Sequence, residues 1–184
     1  MLFKAFVLIA IALSAFQAQA APTDPSIQSD LIKMSEQAGT FNLAVKALPG
    51  PKSMSKKIAA IHMAARRLTS ITTKTLNDIN KSPGTGFSDP EQEKISNSWA
   101  HIAQSEVDTL RQLLSMKKML PSGKSGPKTR QMIVKDLSHL QDENDKLAHA
   151  LVSVLPTQEA AAQTTLEQLQ AQFAETIDGI GSSE

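Results

Sequence analysis

Residues 27–48 read IQSDLIKMSEQAGTFNLAVKAL, and the apolar positions in that stretch decide the fold class. Ile27, Leu31, Met34, Ala38, Phe41, Val45 and Leu48 recur at steps of 4, 3, 4, 3, 4 and 3 residues. Such steps put seven side chains on one stripe of an α-helix, whereas a strand requires alternation by two. This helix is expected to be shorter than the others or to kink near Gly39. Pro49-Gly50-Pro51 ends it, because proline lacks the backbone N–H and glycine raises the entropy cost of helix.

The same pattern recurs downstream. A second stripe carries Ile58, Ile61, Ala65, Leu68, Thr72, Leu76 and Ile79, and a third carries Ile95, Trp99, Ile102, Val107, Leu110 and Leu114. A fourth carries Ile133, Leu137, Leu140, Asn144, Leu147, Leu151 and Val154, and a fifth Ala162, Leu166, Leu169, Phe173, Ile177 and Ile180. Pro/Gly/Ser clusters at 82–86, at 121–127 and at Pro156 separate them. Ser53 or Ser55 can cap the second helix. Ser88-Asp89-Pro90-Glu91 supplies a cap, an early proline and acids at the positive end of the third. Lys117 and Lys118 suit its negative end, and Thr157 with Glu159 opens the fifth. The expected fold is all-α, an up-and-down bundle of about five amphipathic helices, each a rod of ~30–45 Å.

The ends set the context. Lys4, the apolar run Ala5–Phe16 and the small residues of Ala18-Gln19-Ala20 form the three parts of a cleaved secretory leader over residues 1–20. Twelve apolar residues are short for a membrane anchor. Residues 21–184 then form one helical-bundle domain, and the polar stretch after Asp178 lacks the hydrophobic tail of a lipid-anchor signal. The 19 Lys and Arg residues include Lys4, so the mature chain carries 18 basic against 18 acidic residues. No basic footprint for nucleic acid is present. Net neutrality favours association over repulsion. With no cysteine, stability rests on packing, and thiol catalysis and thiolate metal sites are excluded.

No set of residues reads as catalytic. His62, His101, His139 and His149 form no ligand pair and read as solvated or rim histidines, so no metal site and no cofactor are implied. Gly123-Lys124-Ser125 lacks the upstream glycine and strand of a phosphate loop, and residues 122–126 read as a polar loop. Asp142, Glu143 and Asp145 lack the central glycine of a calcium loop and read as a solvated helix face. No base, nucleophile and oxyanion donor can be assembled, so an enzyme is not expected. Asn80-Lys81-Ser82, placed in an expected loop, is a glycosylation sequon whose use Pro83 opposes.

The apolar stripes remain. The mature chain has four aromatic residues, Phe41, Phe87, Trp99 and Phe173, and six methionines at 34, 54, 63, 116, 119 and 132. An ordinary core accounts for most single positions. Small and flexible side chains facing one another can also hold an acyl chain between helices, or open onto a surface. The residues expected to line such an interior are Leu31, Met34, Phe41, Ile61, Leu68, Ile102, Leu110, Leu137, Leu140, Leu147, Leu151, Leu169 and Phe173.

The order of elements resembles the fungal hydrophobic surface-binding protein A family, which includes cell-wall galactomannoproteins. The residues that carry it are Ile27-Gln28-Ser29-Asp30-Leu31, then Leu147-Ala148-His149-Ala150-Leu151-Val152-Ser153-Val154-Leu155-Pro156, then the amphipathic helix ending at Ile180. The resemblance spans roughly residues 27–180. It implies a secreted or wall-associated protein that binds hydrophobic surfaces, or fatty acids in an apolar cavity. It also implies a role in recruiting a secreted esterase or cutinase-like hydrolase. The function expected is non-catalytic binding of hydrophobic surfaces or lipids, the alternative being a structural cell-wall adaptor for such a hydrolase.

Overall fold

The computed structural model describes residues 25–50, 53–81, 87–121 and 125–182. Five α-helices account for most of them: α1 (Pro25–Lys46), α2 (Met54–Lys81), α3 (Asp89–Ser115), α4 (Gly126–Val154) and α5 (Glu159–Gly181). Short 3-10 turns at Lys117–Met119 and Pro156–Gln158 follow α3 and α4, and no strand occurs among the described residues. The expected all-α bundle is what the chain forms. The secretory leader, the polar loop at 122–124 and Ser82 of the sequon lie outside the described residues.

Each loop is shorter than the helices it joins. A seven-residue connection reaches ~25 Å, while a 28-residue helix such as α2 is ~42 Å long, so consecutive helices must reverse direction. Reversal alone does not decide which helices touch. Here α1 packs on α2, α2 on α4, α4 on α5, α5 on α3, and α3 back on α1. The five extensive interfaces therefore close a ring in the order α1, α2, α4, α5, α3. The sequence led us to expect consecutive helices as neighbours. That holds for α1/α2 and α4/α5, but the connections on either side of α3 carry the chain across the ring.

Polar pairs mark each seam at its rim. Lys74 of α2 donates to Asp30 of α1 at 2.5 Å. His62 and Asp136 join α2 to α4 at 2.5 Å, and the Thr73 hydroxyl donates to Glu143 at 2.7 Å. Arg111 of α3 donates to Gln172 of α5 at 2.8 Å, and Asn42 of α1 donates to Thr109 of α3 at 2.8 Å. Arg130 reaches the Ser182 carbonyl at 3.4 Å between α4 and the end of α5. These partners fix the registers: α2 with α4, α3 with α5 and α1 with α3 run parallel, the two hairpins antiparallel.

Local expectations fared unevenly. Ser88 starts α3 as expected, its backbone N–H donating to the Glu91 carboxylate at 2.9 Å and holding that carboxyl below its usual range. The Ser53 carbonyl accepts from the N–H groups of Lys56 and Lys57 at the start of α2. At 22 residues α1 is the shortest of the five helices, as expected, and it runs unbroken through Gly39, whose flanking stripe residues are buried. Thr157 does not cap α5, because its hydroxyl and N–H both donate to Gln92 of α3. Lys117 and Lys118 fall in the 3-10 turn rather than in α3. Asn80 sits in the last turn of α2, exposed, not in a loop. Glu143 is not on a solvated face: it is 7% exposed, bonded to Thr73 and Lys146.

Candidate functional site: the interior of the helix ring

Neighbouring helices pack 8–10 Å apart, so a closed ring of five holds its non-adjacent axes ~15 Å apart. None of the described helices occupies the middle, and the inward side chains must fill it or share it with a guest. The thirteen residues expected to line an apolar interior are all buried in the core. Leu31, Met34 and Phe41 come from α1, Ile61 and Leu68 from α2, Ile102 and Leu110 from α3. Leu137, Leu140, Leu147 and Leu151 come from α4, Leu169 and Phe173 from α5. Each is at most 2% exposed, and all belong to one continuous apolar cluster.

The residues beside them were only partly anticipated. Trp99 is fully buried on α3, and Thr72, Thr75, Thr109 and Thr176 are buried on α2, α3 and α5. Each threonine hydroxyl donates to the carbonyl four residues before it, at 2.8–2.9 Å, which leaves its methyl group to pack. The inner face of α2 is thus built from small residues, Ala64, Ala65, Thr72 and Thr75, between Ile61, Leu68 and Ile79. Methionine contributes less than its number implied. Met34 is buried, while Met63 and Met119 are exposed and Met54, Met116 and Met132 lie at the margin of the core.

Beside these threonines, a buried acid and a buried amide interrupt the apolar interior. Asn144 of α4 donates from Nδ2 to Oε2 of Glu106 of α3 at 2.7 Å. Both residues are 1% exposed. The seam pairs above join adjacent helices, but α3 and α4 face each other across the ring, so this bond crosses its middle. Desolvation raises the Glu106 carboxyl to about 8, a rise that the Asn144 bond partly opposes. At neutral pH the group is therefore predominantly protonated and uncharged. Asn144 was legible as a polar member of an apolar stripe. Glu106 was missed because the third stripe was taken through Val107, although Trp99, Ile102, Glu106, Leu110 and Leu113 also follow steps of 3 and 4 and are all buried.

The surface is different in kind. A recess of about 440 Å³ between α2 and α4 is lined by His62, Arg66, Thr69, Met132, Lys135, Asp136 and His139. His101 and His149 are exposed. Among the described residues, no three or more His, Asp or Glu side chains come together as metal ligands would.

No family model matches the sequence, and no curated protein matches it. The family resemblance seen at 27–31 and 147–156 is thus not shown by sequence, and what a solved structure shows is the fold alone. In fold the chain is similar to AfMP4p, a mannoprotein of Aspergillus fumigatus solved in complex with palmitic acid, with a TM-score of 0.74 at 17% identity over 85% of this chain and 98% of that one.

Proposed function

We propose that this protein is a secreted, non-catalytic binder of long-chain lipids that holds an acyl chain inside the ring of five helices. The observation that carries this reading is the burial of thirteen apolar side chains from all five helices in one continuous cluster, in a fold shared with a protein that was crystallised with palmitic acid. An acyl chain is a flexible apolar rod, and one continuous apolar cluster contributed by all five helices matches its chemistry. The export pattern of residues 1–20 supports an extracellular place of work.

Adsorption to a hydrophobic surface is the narrower alternative, and the closed bundle offers little for it. Ile32, Leu43, Met63 and Met119 are the large apolar side chains exposed among the described residues, and they are scattered over α1, α2 and a 3-10 turn. Isolated exposed apolar residues are ordinary on soluble proteins. Surface binding would require the helices to part.

Native mass spectrometry of the protein recovered from culture medium, followed by solvent extraction and lipid identification, tests the proposal. The expected result is a fatty acid or other long-chain lipid at close to one per chain. A ligand-free protein that also takes up no added palmitic acid would refute it.

A further inference from the structure

We propose that Glu106 and Asn144 form the head-group site of the ring's interior, selecting an amphiphile with an uncharged hydroxyl or carboxylic acid head. The proposal rests on the acyl-binding reading above and assigns a buried polar pair that reading leaves unused.

Most buried polar groups of this protein are engaged. Asp30 is paired with Lys74, Glu143 with Lys146 and Thr73, and Gln172 with Arg111. Lys57 donates to the carbonyls of Leu48 and Gly50 behind α1. The buried side-chain atoms without a protein partner, among the described residues, are Gln37 Oε1, Trp99 Nε1, Glu106 Oε1 and Asn144 Oδ1. Two of the four are the free ends of the Glu106–Asn144 pair. A third, the Trp99 N–H, lies two helical turns before Glu106 on the same face of α3.

The chemistry of those free ends is specific. Glu106 has no basic partner, and an amide N–H is its hydrogen-bond donor. As a neutral acid it can give a proton from Oε1, while Asn144 Oδ1 can only accept. A donor beside an acceptor matches a group that accepts and donates at once, which a hydroxyl or an un-ionised carboxyl does. An ester accepts only, so it leaves Asn144 Oδ1 unpaired, and a hydrocarbon leaves both unpaired. Apolar residues flank the pair by about one turn on each side, Ile102 and Leu110 on α3 and Leu140 and Leu147 on α4. A chain attached to the head can therefore run along the ring axis in either direction. The competing arrangement is a closed acid–amide pair, in which the Glu106 proton satisfies Asn144 Oδ1 directly and no guest is recognised.

Delipidated full-length mature protein is titrated with 1-hexadecanol and with methyl palmitate, in wild type, Glu106→Gln and the double variant Glu106→Leu/Asn144→Leu. Replacing both partners with apolar residues leaves no half-satisfied polar group, so the double variant keeps a foldable core. Glutamine keeps an N–H to give and a carbonyl to receive Asn144. The expected result is at least a ~10-fold preference of wild type for the alcohol, because an unpaired buried polar group penalises the ester. The preference persists in Glu106→Gln and falls to about twofold or less in the double variant. Equal binding of both ligands by wild type, or a preference that survives in the double variant, overturns the head-group assignment while leaving acyl binding intact. Failure of wild type to bind either ligand overturns the acyl-binding reading and the assignment together.

Discussion

Glu106 is the side chain whose protonation the fold controls most strongly, and its effect on stability has a definite sign. Its carboxyl is raised from 4.5 to about 8 in the folded chain, chiefly by desolvation. Between those two values the folded state holds a proton that the unfolded state has released. Stability must then fall as pH rises from about 4.5 to about 8, and the loss is complete above that. A shift of this size corresponds to at most about 5 kcal/mol. Glu106→Gln removes the titration and keeps the bond to Asn144, so its melting temperature should match wild type near pH 5 and exceed it at pH 9. Thermal unfolding at the two pH values checks this, and an equal gap at both would show that Glu106 is not held neutral. A neighbouring core position gives a control without charge. Leu140 is fully buried on α4, and Leu140→Ala should cost about 2–5 kcal/mol at any pH, read by urea unfolding. These two residues also show what a sequence discloses at this scale. Leu140 announces its burial through its spacing, since apolar residues repeat on one helical face. Glu106 sits at an equally inward position, but its charge argues for solvent until the opposing helix that supplies Asn144 is known.

Helices and their junctions obey mostly local rules, which is why the element count and order were readable. The five stripes, the breaks at 49–51, 82–86 and 121–127, and the Ser88–Glu91 start of α3 are all statements about residues within a turn or two of one another. Features that depend on a distant segment were not readable. Thr157 looked like a cap, yet its hydroxyl is taken by Gln92, 65 residues earlier in the chain. Glu143 looked solvated, yet the Thr73 hydroxyl of α2 donates to its carboxylate. Gly126 makes the same point and can be tested. By helix propensity, alanine should improve the first turn of α4. A Cβ at Gly126, however, would come 2.7 Å from the carbonyl oxygen of Pro121, a backbone atom that cannot rotate aside. Gly126→Ala should therefore destabilise the protein by about 1–3 kcal/mol, the range for overpacking, instead of gaining the helix-forming benefit. An increase in the urea midpoint on that substitution would mean that the approach between the α3–α4 connection and α4 is not tight.

At the scale of the molecule, the ring order α1, α2, α4, α5, α3 was the part least available from sequence, because loop length enforces reversal but leaves open which helix lies beside which. That order matters for function. Among the described residues it leaves the interior bounded by five helices and crossed by a polar bridge between non-adjacent ones, while the large apolar side chains exposed are isolated. Two modes of lipid engagement are then physically distinct. An acyl chain held inside binds the closed ring, and a ligand that binds the folded state alone stabilises it by RT ln(1 + [L]/Kd), about 2.7 kcal/mol at a hundredfold excess over Kd. For a domain of this size that corresponds to a rise in melting temperature of roughly 5–10 °C, growing with the logarithm of ligand concentration. A hydrophobic surface that needs the core faces must instead capture a chain whose helices have parted. Binding to that open state draws population away from the closed ring and lowers the apparent melting temperature. Palmitic acid below its aggregation limit and hydrophobic polymer beads, added separately to delipidated protein, should therefore move the transition in opposite directions. The internal-site reading requires the upward shift with palmitic acid. If palmitic acid instead lowers the transition as the beads do, the lipid is meeting an opened bundle, and the ring is a store of apolar surface for adsorption rather than a container.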